Sequence, residues 1–184
     1  MSGLKQMNRH AYLLLLIPLA ACSGSSGGGT TAIPTGGNST PPPVTQRIID
    51  NEDLTAGLKG VDADGNGIRD DIDRLITLKY SATPEMKKAL EQEARALQKS
   101  MESTTRQQAL AAGDEIMRAG GCSFKIFLNM PGSLELRDKA SNEIGALTAN
   151  TRERFKAYWN AESLKGGGVF RQPDEPVCDY AIHV

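Results

Sequence analysis

The chain has 184 residues, of which 23% are charged and 39% hydrophobic, and its formal net charge is -1. That length holds one ordinary domain with appendages, and the composition excludes both a wholly disordered chain and a protein with several membrane spans. The near balance of charge argues against a nucleic-acid partner.

In chain order, residues 1–21 read as a secretory signal. Lys5 and Arg9 precede a nearly unbroken apolar run from Ala11 to Ala20, the layout of a processed leader. A spanning helix needs about 20 apolar residues, so this run is too short for one. Met7 begins a tidier signal than Met1, and translation starts at one or the other. The run ends in Leu19-Ala20-Ala21-Cys22, which resembles the lipobox of bacterial lipoproteins. That resemblance implies cleavage before Cys22, acylation of the cysteine with palmitate-type chains, and attachment of the protein to a membrane. Buried acyl chains contribute about 0.8 kcal/mol per methylene, enough together to hold a domain with no spanning helix. Ser23 after the cysteine implies an outer-membrane address.

Residues 22–46 form the lipidated cysteine and a tether. Ser23 to Gln46 carries no charge and is dominated by Gly, Ser, Thr and Pro. Such a segment cannot bury enough apolar surface to offset its chain entropy, so a coil with a mean reach of about 25 to 30 Å is expected.

The folded domain is expected over 47–184, opening on an acidic loop at 62–73. Asp62, Asp64, Asn66, Asp70 and Asp73 put side-chain oxygens at loop positions one, three, five, nine and twelve, with Gly67 at six. A hard cation such as calcium takes six to eight oxygens at about 2.3 to 2.6 Å, and alternate residues of a tight loop can supply them. Gly67 permits the sharp turn that aims the Ile68 carbonyl at the ion. Asp70 would contribute directly or through water, and Asp73 would close the site. The pattern resembles the EF-hand loop and, more closely, the thrombospondin type 3 repeat, in which an apolar residue follows the central glycine as Ile68 follows Gly67. It differs from a regulatory EF-hand in placing Asp73 where a longer Glu would grip the ion. It differs from the thrombospondin repeats in being a single copy without a loop cysteine. Those differences point to a structural calcium ion rather than a sensor. The competing reading is a solvated acidic turn, since Asp70, Asp71 and Asp73 suit a helix start with or without a metal.

Helical spacing predicts a helix from about Asp70 to Tyr80 through Ile72, Leu75 and Ile76. A second should start at Thr83-Pro84, with Thr83 as cap, and carry the stripe Met86, Leu90, Ala94, Leu97 and Met101. A third is expected from Gln107 to Ala119, stopped by Gly120-Gly121. Ser133 to about Asn160 should hold the longest helix, with a break possible near Asn150-Thr151. Phe124 to Leu128 fits either a short strand or a helical turn. The glycine- and proline-bearing carboxyl end reads as an extended tail on a mainly α, small helical bundle. With Cys22 lipidated, Cys122 and Cys178 remain to pair in an oxidising compartment; two free thiols or intermolecular pairing are the alternatives.

Chemistry of other kinds finds little support. His183 is the only histidine beyond the leader, which leaves no His-based triad and no transition-metal cluster of the usual kind. No glycine-rich stretch has the phosphate-loop pattern. Pairs such as Glu91 and Arg95 suit surface ion pairs. Phe155, Tyr158 and Trp159 fit core packing better than a ligand pocket. The chain is therefore expected to be a non-enzymatic envelope lipoprotein, a structural or interaction module with an envelope protein as partner. The alternative is a periplasmic or surface hydrolase acting on a cell-wall polymer.

Overall fold

The computed structural model describes residues 51–128, 133–171 and 173–182. The leader, Cys22, the tether and His183 lie outside the described residues. Five helices follow the acidic loop: α1 (Asp70–Lys79), α2 (Pro84–Met101), α3 (Arg106–Phe127), α4 (Ser133–Thr148) and α5 (Arg152–Lys165). No strand occurs among the described residues. No helix among them is long and apolar enough to cross a membrane.

Local chemistry sets three of the helix starts. The Thr83 hydroxyl accepts from the Met86 N–H at 3.2 Å with Pro84 in the first helical position, and the Thr151 hydroxyl accepts from Arg154 N–H at 3.2 Å. At α3 a reciprocal box forms, in which Thr105 accepts from the Gln108 N–H and the Gln108 side chain accepts from the Thr105 N–H. Each cap satisfies a donor that the first turn leaves without a partner, typically worth about 1 kcal/mol.

The central helix is α2, which packs against each of the other four. Its stripe of Met86, Leu90 and Ala94 joins Ile68, Ile72, Leu75, Ile76 and Tyr80 from the loop and α1, and Ala140, Ile144 and Leu147 from α4, in one buried core. At the α1–α4 seam the Lys79 ammonium lies 2.7 Å from Glu143 Oε1, and the Tyr80 hydroxyl donates to Glu143 Oε2 at 2.8 Å. Burial and the Glu143 carboxylate raise the Tyr80 pKa, keeping the phenol a donor.

Three local expectations are corrected. Gly120-Gly121 does not stop α3, which runs on to Phe127. Glycine costs a helix about 1 kcal/mol relative to alanine, and here the buried Ala119, Cys122, Ser123 and Phe127 on the same stretch outweigh that cost. Phe124 to Leu128 is accordingly the end of that helix. The segment after Ser133 does break near Asn150-Thr151, between Thr148 and Arg152, and the two helices that result are each shorter than α3, which is the longest among the described residues. The aromatic cluster on α5 is not core: Phe155 and Trp159 are exposed.

The tail beyond α5 is extended and returns over the bundle. Phe170 lies on Gly113 of α3, where a Cβ would come within 2.2 Å of its ring. Cys178 is bonded to Cys122 of α3. Beside that bond the Gln92 side chain of α2 donates to the Val177 carbonyl at 2.9 Å and accepts from the Asp179 N–H at 3.1 Å.

Candidate metal site

The acidic loop folds around its own carboxylates. The Asn66 N–H donates to Asp62 Oδ1 at 3.1 Å and the Gly67 N–H to Asp62 Oδ2 at 2.9 Å. The Ile68 N–H donates to Asn66 Oδ1 at 2.8 Å, and the Ala63 N–H to Asp70 Oδ1 at 2.9 Å. The backbone closes the turn where the Asp70 N–H meets the Val61 carbonyl at 2.8 Å. Gly67 has φ +81°, a left-handed conformation that side-chain-bearing residues adopt at a cost.

The turn brings together Asp62, Asp64 and Asp70, each offering an oxygen within 4.8 Å of the others. Two oxygens bound to one ion at about 2.4 Å can be no more than about 4.8 Å apart, so these three meet the spacing that a shared hard cation requires. Asn66 lies on the same turn, its side-chain N–H donating to Asp64 Oδ2 at 3.0 Å. Ile68 sends its side chain into the core, 1% exposed, which roots the loop in the bundle. Asp73 does not join the group; its Oδ1 lies 3.9 Å from the Lys87 ammonium on α2.

Behind the loop lies a buried charge network that the sequence pattern did not reveal. Arg69 is 1% exposed and Arg154 fully buried. Arg69 grips Asp71 with two bonds, Nε to Oδ1 at 2.6 Å and Nη2 to Oδ2 at 3.0 Å, and also donates to the Leu147 carbonyl at 2.6 Å. The Asp53 N–H donates to the same Asp71 carboxylate at 2.8 Å. The Asp53 carboxylate lies 3.9 Å from Arg69 and 3.7 Å from Arg154. Arg154 also donates to the Asp53 carbonyl and, at 2.9 Å, to Asn150 Oδ1. Two cations and two anions thus tie the segment before the loop to α1, the end of α4 and the start of α5. Gly60, at φ +66°, covers this network; a Cβ there would come within 2.2 Å of both Arg69 and Asp53.

Asp71 and Arg69 are therefore withdrawn from the loop's charge balance. Beside the loop is an open groove of about 540 Å³ whose lining includes Lys59, Asp62, Arg95, Lys99 and Glu102. Arg95 lies over Gly67, and among the described residues its expected ion pair with Glu91 does not form. Glu91 instead lies 3.3 Å from Lys87.

Burial pushes the Asp53 carboxyl up, but the Thr55 hydroxyl, the Val61 and Thr55 N–H groups and the Arg154 charge outweigh it and bring the pKa down from 3.8 to about 2. A carboxylate held below its unfolded value stabilises the fold above that unfolded value, and the contribution is lost as pH falls through the folded one. Acid unfolding followed by circular dichroism should therefore include a loss between about pH 4 and pH 2. Asp53→Asn should remove that part of the acid limb. An unchanged acid limb in the variant would show that Asp53 does not contribute to it.

Compared with family models, with curated proteins and with solved structures, the chain matches none. The site's chemistry therefore rests on its residues.

Proposed function

We propose that the protein is a bacterial envelope lipoprotein, anchored by lipid on Cys22, whose helical domain binds one structural calcium ion and serves as a structural or protein-interaction module. The observation that carries the metal reading is the convergence of Asp62, Asp64 and Asp70 in a turn closed between Val61 and Asp70. A divalent ion offsets the mutual repulsion of three carboxylates. Calcium suits the site better than magnesium because it accepts irregular oxygen shells, whereas magnesium demands a tight octahedron and keeps its waters. The turn leads straight into α1 and is rooted by Ile68, so the ion would brace the entrance to the bundle. A sensor would need an element to move; this loop is held from behind by Arg69, Asp71, Asp53 and Arg154.

The anchor rests on the leader and on Leu19-Ala20-Ala21-Cys22. It accounts for the uncharged tether, which would join the domain to its lipid in the outer membrane. The work of such a module is binding, with an envelope protein as its partner, rather than catalysis. Fractionation tests the anchor. Native protein should sediment with membranes and Cys22→Ser should be released into the soluble fraction; retention of the variant on membranes would overturn it.

A further inference from the structure

Among the described residues, nothing covers the outward side of α5. Arg154, Ala161 and Lys165 occupy its buried side, and Phe155 and Trp159, four residues apart on one stripe, are 57% and 65% exposed on the other. Beside them Arg152 and Lys156, also four apart, are exposed, and neither takes part in an ion pair among the described residues. An aromatic column next to a cationic column is the arrangement that partitions into an anionic lipid interface. The rings enter the headgroup boundary, and each Lys or Arg near such a surface strengthens binding about fivefold.

The entry of the chain identifies the occupant. The described residues begin at Asn51, and Asp53 and Thr55 are held against the start of α5 by hydrogen bonds from Arg154 to their carbonyls. The Gly57 N–H donates to Glu153 of the same helix at 3.1 Å. Leu54, 66% exposed, lies in this strip. The tether from Cys22 therefore meets the domain beside the helix that carries the aromatic face. With a mean reach of about 25 to 30 Å, it keeps that face at high effective concentration near any surface holding Cys22.

We infer that the Phe155–Trp159 face of α5, flanked by Arg152 and Lys156, docks on the anionic lipid surface to which Cys22 is attached. This rests on the lipid anchor proposed above. The tether then works as a leash on a domain that lies down on the membrane rather than as a spacer that holds it off.

Trp159 is the only tryptophan in the chain, so its emission reports on this face alone. The lipidated full-length protein, reconstituted on phosphatidylcholine vesicles with and without phosphatidylglycerol, should show blue-shifted Trp159 emission. It should also show quenching by brominated lipid and protection from aqueous acrylamide, most strongly with the anionic lipid. Arg152→Glu combined with Lys156→Glu should reduce the brominated-lipid quenching at least fivefold while the protein still floats with the vesicles. These residues are exposed, so unchanged circular dichroism melting is expected and separates a surface effect from misfolding. Protein that floats with vesicles while Trp159 stays open to acrylamide would overturn the docking and leave the anchor standing. Native protein that neither floats nor shifts its emission would overturn both. A blue shift that grows with protein concentration in the absence of lipid would overturn the docking in favour of a second copy on this face.

Discussion

Asp71→Ala should destabilise the domain by about 3 to 5 kcal/mol, because it leaves Arg69 buried without its two-bond partner. The neighbouring Asp53 carboxylate is 3.9 Å away and already serves Val61 and Thr55, so it cannot replace Asp71. Urea unfolding of native protein, Asp71→Ala, Arg69→Met and the double variant gives the coupling directly. Each single substitution strands one buried charge, so the double variant should lose less than the sum of the two singles. Strict additivity would show that the pair is not the unit that binds the pre-loop segment to α1.

The second large effect belongs to the tail. Cys122 and Cys178 are separated by 56 residues. On the chain-entropy model, a cross-link closing a loop of that length stabilises by about 4 kcal/mol. Cys122→Ser with Cys178→Ser should lower the urea midpoint accordingly, and tail amides near Val177 should exchange faster than those of α2. The hydrogen bonds from Gln92 to Val177 and from Asp179 to Gln92 keep a weaker hold on the tail, so the bundle itself should stay helical. An unchanged midpoint, or two titratable thiols in the unreduced native protein at these positions, would contradict this account.

How much of this was legible in the sequence follows from the range of each interaction. α1 and α2 were legible because their signals are local: a periodic apolar stripe, and a Thr-Pro pair at the start of α2. The acidic turn was legible for the same reason, since Asp62, Asp64 and Asp70 are brought together by hydrogen bonds that span nine residues or fewer. Asp73 shares the spacing but sits in the first turn of α1, where helix geometry turns it toward Lys87 and away from the other three. Gly120-Gly121 carried a strong local stop signal, and only the packing of Cys122 and Phe127, set by other helices and the tail, overrides it. On α5, aromatic spacing identifies a helix but not which side is buried. The decision is made by Arg154, whose partners Asp53 and Thr55 lie about a hundred residues earlier in the chain. No local pattern marks Asp53, and a lone arginine in an acidic loop, such as Arg69, reads as a surface counter-charge. Its burial depends on the Leu147 carbonyl at the end of α4.

The network behind the loop holds α1 from within by arginine–aspartate pairs, and the calcium ion proposed for the Asp62, Asp64 and Asp70 cluster would hold it from without. Thermal unfolding of the protein in calcium and in chelator tests that proposal most directly. A ligand bound only by the folded state at about a hundredfold above its dissociation constant stabilises by about 2.7 kcal/mol, which for a domain of this size raises the melting temperature by about 5 to 10 °C. The account predicts a rise of that order which increases with calcium concentration, is smaller with magnesium, and disappears in Asp62→Ala and Asp64→Ala. Identical melting temperatures in calcium and in chelator would contradict it and reduce the loop to a charged helix entrance.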